Sequence, residues 1–195
     1  MGLRASKIAA PQPEGAPRFW YRDNFFVTTD KSYLRADDVN KVFASDLMWW
    51  NEAIEPAQMD KMLKNCLTLS IWWVPETAED MQKHGPPRRK AGKDLKFAGF
   101  ARLVTDYVSF AYLTDVFILP DFQRRGLASW MMRSVKEMVD EWPDLRGLML
   151  MTHDQPAADM YKKTLGAVDF EKGPSAGLTM LEMAGRAEKG LPEDH

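Results

Sequence analysis

The chain has 195 residues, 45% of them hydrophobic, 28% charged and 11% aromatic, a composition of one ordinary domain with a real core and not of wholesale disorder. A single cysteine excludes an internal disulfide framework and any cysteine-rich zinc or iron–sulfur site. A net charge of −2 argues against general nucleic-acid binding. No apolar run approaches the roughly 18 residues of a membrane span and no signal-type apolar region follows Met1, so a cytoplasmic protein without stable membrane association is expected.

Met1-Gly2-Leu3-Arg4-Ala5-Ser6 fits the loose N-myristoylation pattern. The pattern is permissive enough to be met by chance in a disordered leader, and one acyl chain gives only marginal membrane binding. Residues 1–18, with Pro11, Pro13 and Pro17, read as a flexible leader, and ordered structure begins near Phe19. Phe25 to Thr29 is β-branched and aromatic, a first strand. Ala36 to Ser45 places Val39, Val42 and Phe43 at helical spacing behind Asp37 and Asp38. A second helix starts near Pro56, with Met59, Met62, Leu63 and Cys66 on one face. The bulky connection Leu47 to Glu52 lies between them.

Leu67 to Val74 reads as a buried strand. Residues 75–94, with Pro75, Pro86, Pro87, Gly92 and the run Arg88-Arg89-Lys90, read as a long mobile connection whose charges are solvated. Phe97 to Val104 and Ala111 to Leu119 are strands joined by a tight reversal at Asp106-Tyr107. After Gly126 an apolar stripe of Leu127, Trp130, Met131, Val135, Met138, Val139 and Trp142 marks a strong helix. Leu148 to Met151 is a short strand and Ala157 to Leu165 a helix closed by Gly166. Val168 to Phe170 and Leu178 to Met183 complete the sheet, and 185–195 is a polar tail. The order predicts one layered α/β (α+β) domain, residues 19–184, around a mixed sheet of about seven strands.

Walker-type, Gly-x-Gly-x-x-Gly, Gly-x-Ser-x-Gly and His-Glu-x-x-His motifs are all absent from the sequence. His84, His153 and His195 are too scattered to suggest a metal site, and no metal is expected. The informative stretch runs from Leu113 to Ala128, where a buried strand enters a basic turn that opens directly into the strong helix. The first N–H groups of that helix lack intrahelical partners and the macrodipole is positive there. Gly126 and Ala128 leave the backbone approachable, and Arg124 and Arg125 add charge. A polyphosphate ligand suits this turn; the other reading is a plain strand–helix turn with exposed arginines.

Gln123-Arg124-Arg125-Gly126-Leu127-Ala128 resembles the Gln/Arg-x-x-Gly-x-Gly/Ala signature with which the GNAT superfamily of N-acetyltransferases grips the pyrophosphate of acetyl-CoA. Ala157 to Gly166, with Tyr161 inside it, resembles the family's later helix, and the similarity spans roughly Phe25 to Met183. It implies a mixed, mostly antiparallel sheet with helices on both faces, acetyl-CoA as donor, and attack by a primary amine of a small molecule within a ternary complex, a homodimer being compatible with the fold. The implied cofactor contacts are Phe117, Ile118, Leu119, Gln123 to Ser129, Asp154 and Tyr161. Departures are Ala128 for a second glycine, Asp154 where Asn is common, Ala167 for Phe, one extra residue at Thr164, and Thr114-Asp115 where many relatives read Glu-Asp.

An alkylamine has a pKa near 10 and arrives as ammonium, so a base or a water chain is needed. Asp115, among apolar neighbours on the strand leading to the turn, is the candidate base; a structural carboxylate is the competing reading. Tyr161, protonated at neutral pH, is the candidate acid for the leaving thiolate. Strand N–H groups near Ile118 and Leu119 are expected to hold the pantetheine arm and polarise the thioester. Trp49 and Trp50 are expected to line the acceptor site, with Asp115, or else to serve as core. The competing functions are a catalytically weak CoA-binding sensor and a peptide or protein N-acetyltransferase, against which the bulk of Trp49-Trp50 argues.

Overall fold

The ordered chain opens with a hairpin of β1 (Phe19–Arg22) and β2 (Phe25–Thr28). The pairing of Arg22 with Phe25 leaves Asp23-Asn24 as a two-residue loop, and Asp23 takes φ 52°, the left-handed conformation such loops require. A strand at β1 was not expected from the sequence. Its four side chains are all half-buried, so no alternation betrays it. The computed structural model describes residues 15–88 and 94–183. The Gly2/Ser6 pattern, most of the leader, Arg89-Lys90 and the polar tail lie outside these residues.

The hairpin continues into one sheet with β3 (Leu67–Trp73), β4 (Lys96–Thr105), β5 (Phe110–Ile118) and β6 (Gly147–Met149), in the order β1-β2-β3-β4-β5-β6. Every neighbouring pair is antiparallel except β5–β6, which is parallel. Five helices accompany it among the described residues: α1 (Ala36–Phe43), α2 (Pro56–Lys64), α3 (Ala78–His84), α4 (Leu127–Val139) and α5 (Gln155–Leu165). On one face Leu127, Met131, Met132, Val135, Met138 and Val139 of α4 pack with Tyr161 of α5 on Val27, Leu69, Ile71, Ala98 and Leu113. On the other, Val39, Val42 and Phe43 of α1 and Met59 and Leu63 of α2 cover Phe100 and Phe117. At roughly 2 kcal/mol for each fully buried side chain of this size, the two faces hold both helix layers down.

Three expectations are corrected. The connection 75–94 is not without structure: α3 lies within it, capped by Thr77, whose hydroxyl oxygen accepts from the Asp80 N–H while the Asp80 carboxylate accepts from the Thr77 N–H. The Thr-x-x-Asp spacing of this capping box is the local signal for the helix start, set among Pro75, Pro86 and Pro87. The strand near Leu148 covers only Gly147–Met149. The two closing strands do not form, so the sheet has six strands. Phe170–Lys172 is a 3-10 turn, with Asp169 ion-paired to Lys162 and Lys172. Beyond the glycine- and proline-containing stretch from Gly173 to Gly177, Leu178, Met180, Leu181 and Met183 are exposed. No helix among the described residues is long and apolar enough to cross a membrane.

Two local features shape the middle of the sheet. The β4–β5 register shifts between Phe100 and Arg102, and opposite the shift Asp115 takes φ 52°, a bulge that re-aims its side chain. Gly99 sits where the strands press together: a Cβ there would lie 2.6 Å from Ile118 Cδ1 and 2.8 Å from the Phe117 carbonyl oxygen.

Candidate active site

The turn between β5 and α4 is built by the residues that the sequence singled out. A 3-10 turn, Pro120–Phe122, follows Leu119, and the Gln123 side chain folds back to donate to the Ile118 carbonyl at 2.9 Å. Arg124 and Gly126 then take φ 60° and 69°. Left-handed residues alternating with ordinary ones turn successive N–H groups to one side, a backbone concavity that suits anions. Among the described residues, the N–H groups of Arg124 to Ser129 meet no protein acceptor; the first helical bond of α4 is from the Trp130 N–H to the Gly126 carbonyl. Arg124, Arg125 and Gly126 are exposed and Ala128 and Ser129 half-buried, while Leu127 is buried in the core and anchors the helix rather than facing outward.

From this turn an unpaired strand edge runs back into the sheet. β6 pairs with β5 only at Phe110 to Tyr112, so the edge of β5 beyond Tyr112 has no strand beside it. The Leu119 N–H donates to the Ala98 carbonyl at 2.9 Å, and strand alternation turns the Ile118 N–H the other way, toward the unpaired edge of β5. Of the two N–H groups expected to hold an extended ligand, that of Ile118 faces the unpaired edge and that of Leu119 is already committed to Ala98. Phe117 is buried against α1 and α2, on the far face of the sheet.

Asp115 lies at the bulge, 5% exposed. Its carboxylate accepts from Arg102 Nε at 2.6 Å, from Asn51 Nδ2 at 3.2 Å and from the Thr114 hydroxyl at 3.3 Å. With Oδ1 accepting two of these bonds and Oδ2 held by a guanidinium in a buried position, the geometry matches an orienting carboxylate better than a base. Asn51 continues the Trp49-Trp50 connection, whose rings meet edge to face at 5.5 Å; Trp49 also meets the His153 ring at 5.1 Å. The α1–α2 connection thus touches both the bulge of β5 and the loop before α5.

Tyr161 projects from α5 into the core, 8% exposed. Burial, helped by the Asp154 carboxylate, pushes its phenol up to about 12. Asp154 is the N-cap of α5, accepting from the Ala157 N–H at 3.1 Å. Asp and Asn serve equally in that role, so the departure at this position preserves the cap. Among the described residues no three His, Cys, Asp or Glu side chains gather as a metal-ligand set.

Residues 47–167 match the acetyltransferase (GNAT) family. The chain belongs to the GNAT acetyltransferase family. A Gibberella zeae protein bearing the name "putative acetyltransferase" is 31% identical over 156 residues, covering 80% of this chain and 86% of the relative. The crystal structure of a GNAT-family protein from Xanthomonas campestris superposes with a TM-score of 0.56 at 26% identity, covering 85% of this chain and 97% of the other. A GNAT-family protein from Streptococcus pneumoniae, at 13% identity and a TM-score of 0.52 over 88% of this chain and 99% of its own, shares the fold.

As a GNAT enzyme the protein is an acyltransferase, and the family's donor is acetyl-CoA. The concavity of unbonded N–H groups, flanked by two arginines, fits the pyrophosphate of that donor in charge and in donor chemistry. Sequence reasoning missed Arg102 and Asn51. Arg102 could have been found: a charged residue inside a strand as apolar as 97–104 requires a buried partner.

Proposed function

We propose that the enzyme transfers an acetyl group from acetyl-CoA to the primary amine of a small molecule, by direct attack in a ternary complex. The observation that carries this reading is the run of unbonded N–H groups at the start of α4, opening onto the unpaired edge of β5. Bound there, acetyl-CoA supplies an activated thioester, whose acyl carbon exchanges its C–S bond for a C–N bond to the amine.

The chain's own groups provide the rest. The N–H groups from Arg124 to Ser129, with the two guanidinium groups, hold the pyrophosphate, and the Ile118 N–H orients the pantetheine arm. Tyr161 keeps its proton at neutral pH and gives it to the departing sulfur, to be reprotonated from solvent. The amine loses its proton through water, because Asp115 is buried and its carboxylate is tied to Arg102, Asn51 and Thr114. Asp115 instead fixes Asn51, and through it the Trp49-Trp50 wall of the acceptor side. Direct attack is supported by Cys66: its thiol donates to the Met62 carbonyl at 3.0 Å, is 2% exposed, and is pushed up by burial, so it makes a poor acyl carrier.

The edge-to-face Trp49, Trp50 and His153 contacts favour a small acceptor over a peptide. A CoA-binding sensor is the second reading, favoured by the engagement of Asp115. Release of free thiol across an amine panel, with the acetylated product weighed by mass spectrometry, decides between them. Initial-velocity lines that intersect support the ternary complex; parallel lines refute it.

A further inference from the structure

Arg18, Trp20 and Arg22 alternate along β1 and its approach, and they reach α4 or the residues that flank it. Arg18 donates to Glu141 at 3.0 Å and Trp20 Nε1 to Glu137 at 3.1 Å, near the end of the helix. Arg22 reaches the opposite end. Its guanidinium donates to the Arg125 carbonyl at 2.7 Å and to the Gly126 carbonyl at 3.3 Å, and lies 5.0 Å over the Trp130 ring. These carbonyls belong to the turn with the unbonded N–H groups, yet Arg22 lies outside the 47–167 span of the family match.

We propose that Arg22 is a positioning residue for the pyrophosphate-binding turn. In a trans peptide the carbonyl of one residue and the N–H of the next point in opposite directions. Drawing the Arg125 and Gly126 carbonyls to one side therefore turns the Gly126 and Leu127 N–H groups to the other. Without this brace the peptide between Arg125 and Gly126 is free to rotate, because Gly126 tolerates many conformations. A rotated peptide would present a carbonyl, and not a donor, to the phosphates. Stacking on Trp130 limits the conformations open to the guanidinium, so it need not be ordered on ligand binding. The inference rests on the reading that the pyrophosphate of CoA occupies this turn.

The test compares CoA with pantetheine, which lacks the pyrophosphate, by isothermal titration against the parent, Arg22→Gln, Arg22→Lys and Gly126→Glu. Arg22→Gln should weaken CoA at least tenfold and leave pantetheine within twofold. Arg22→Lys, which keeps the charge and the aromatic contact but not the two-pronged geometry, should recover only part of the loss. Equal losses for CoA and pantetheine, or CoA binding to Arg22→Gln within twofold of the parent while Gly126→Glu abolishes it, would overturn the role of Arg22 alone. CoA binding unaffected by Gly126→Glu would overturn the placement of the pyrophosphate, and the proposal with it.

Discussion

Tyr161→Phe removes one oxygen and keeps the ring in place. The ring contributes to the core beneath α4, and among the described residues nothing accepts from its hydroxyl. The variant should therefore fold with little change in stability at neutral pH. If the hydroxyl protonates the leaving thiolate, kcat should fall roughly 10²-fold, about 2.7 kcal/mol of lost transition-state stabilisation, while CoA affinity stays within twofold. The phenol at about 12 supplies an independent check. A pKa raised on folding stabilises the protein below the unfolded value near 10, and that contribution is lost as pH climbs through the folded value. Urea unfolding of the parent should lose on the order of 2–3 kcal/mol between pH 10 and 12 more than the Phe variant does. The steady-state assay, with chemistry rate-limiting, is thiol release against acetyl-CoA and amine. Turnover by Tyr161→Phe within twofold of the parent would exclude the hydroxyl as the acid and leave Tyr161 a packing residue.

Asp115→Asn keeps an acceptor oxygen for Arg102 and tolerates the left-handed backbone. It should retain kcat within about tenfold and leave the acid limb of the kcat/KM pH profile unmoved, which a lost general base would not allow. Asp115→Ala strands Arg102, whose side chain is 17% exposed, and should cost about 3 kcal/mol in a urea titration. Cys66→Ser should preserve turnover, since no acyl-cysteine is formed; loss of activity with retained fold, followed by circular dichroism, would contradict direct attack. Thr77→Ala removes the cap of α3 and should lower stability by about 1 kcal/mol in thermal unfolding without touching kcat.

What the sequence disclosed followed from local rules. The α4 stripe, the Pro56 helix start and the buried β3 run each carry their own periodicity, and the structure places helices and strands there. The turn at Gln123 to Ala128 was legible because two arginines and a glycine stand directly ahead of an amphipathic helix, in the pattern that resembles the GNAT signature. The failures were tertiary. β1 is half-buried at all four positions and exists because β2 offers it an edge. Leu178 to Met183 has the composition of a strand but no partner, showing that β propensity does not make a sheet. The occupied state of Asp115 depends on Asn51, 64 residues away, and on a bulge that no spacing rule reveals. Arg22 is likewise silent in sequence, because its partners are carbonyl oxygens, which every residue carries.

If the start of α4 holds the pyrophosphate of acetyl-CoA, thermal unfolding with increasing acetyl-CoA should report it, and Gly126→Glu should remove the effect. At a hundredfold excess over Kd the folded state should gain about 2.7 kcal/mol. For a domain of this size that is a rise in Tm of roughly 5–10 °C. A melting temperature unmoved by millimolar acetyl-CoA would mean that the donor does not bind at the start of α4.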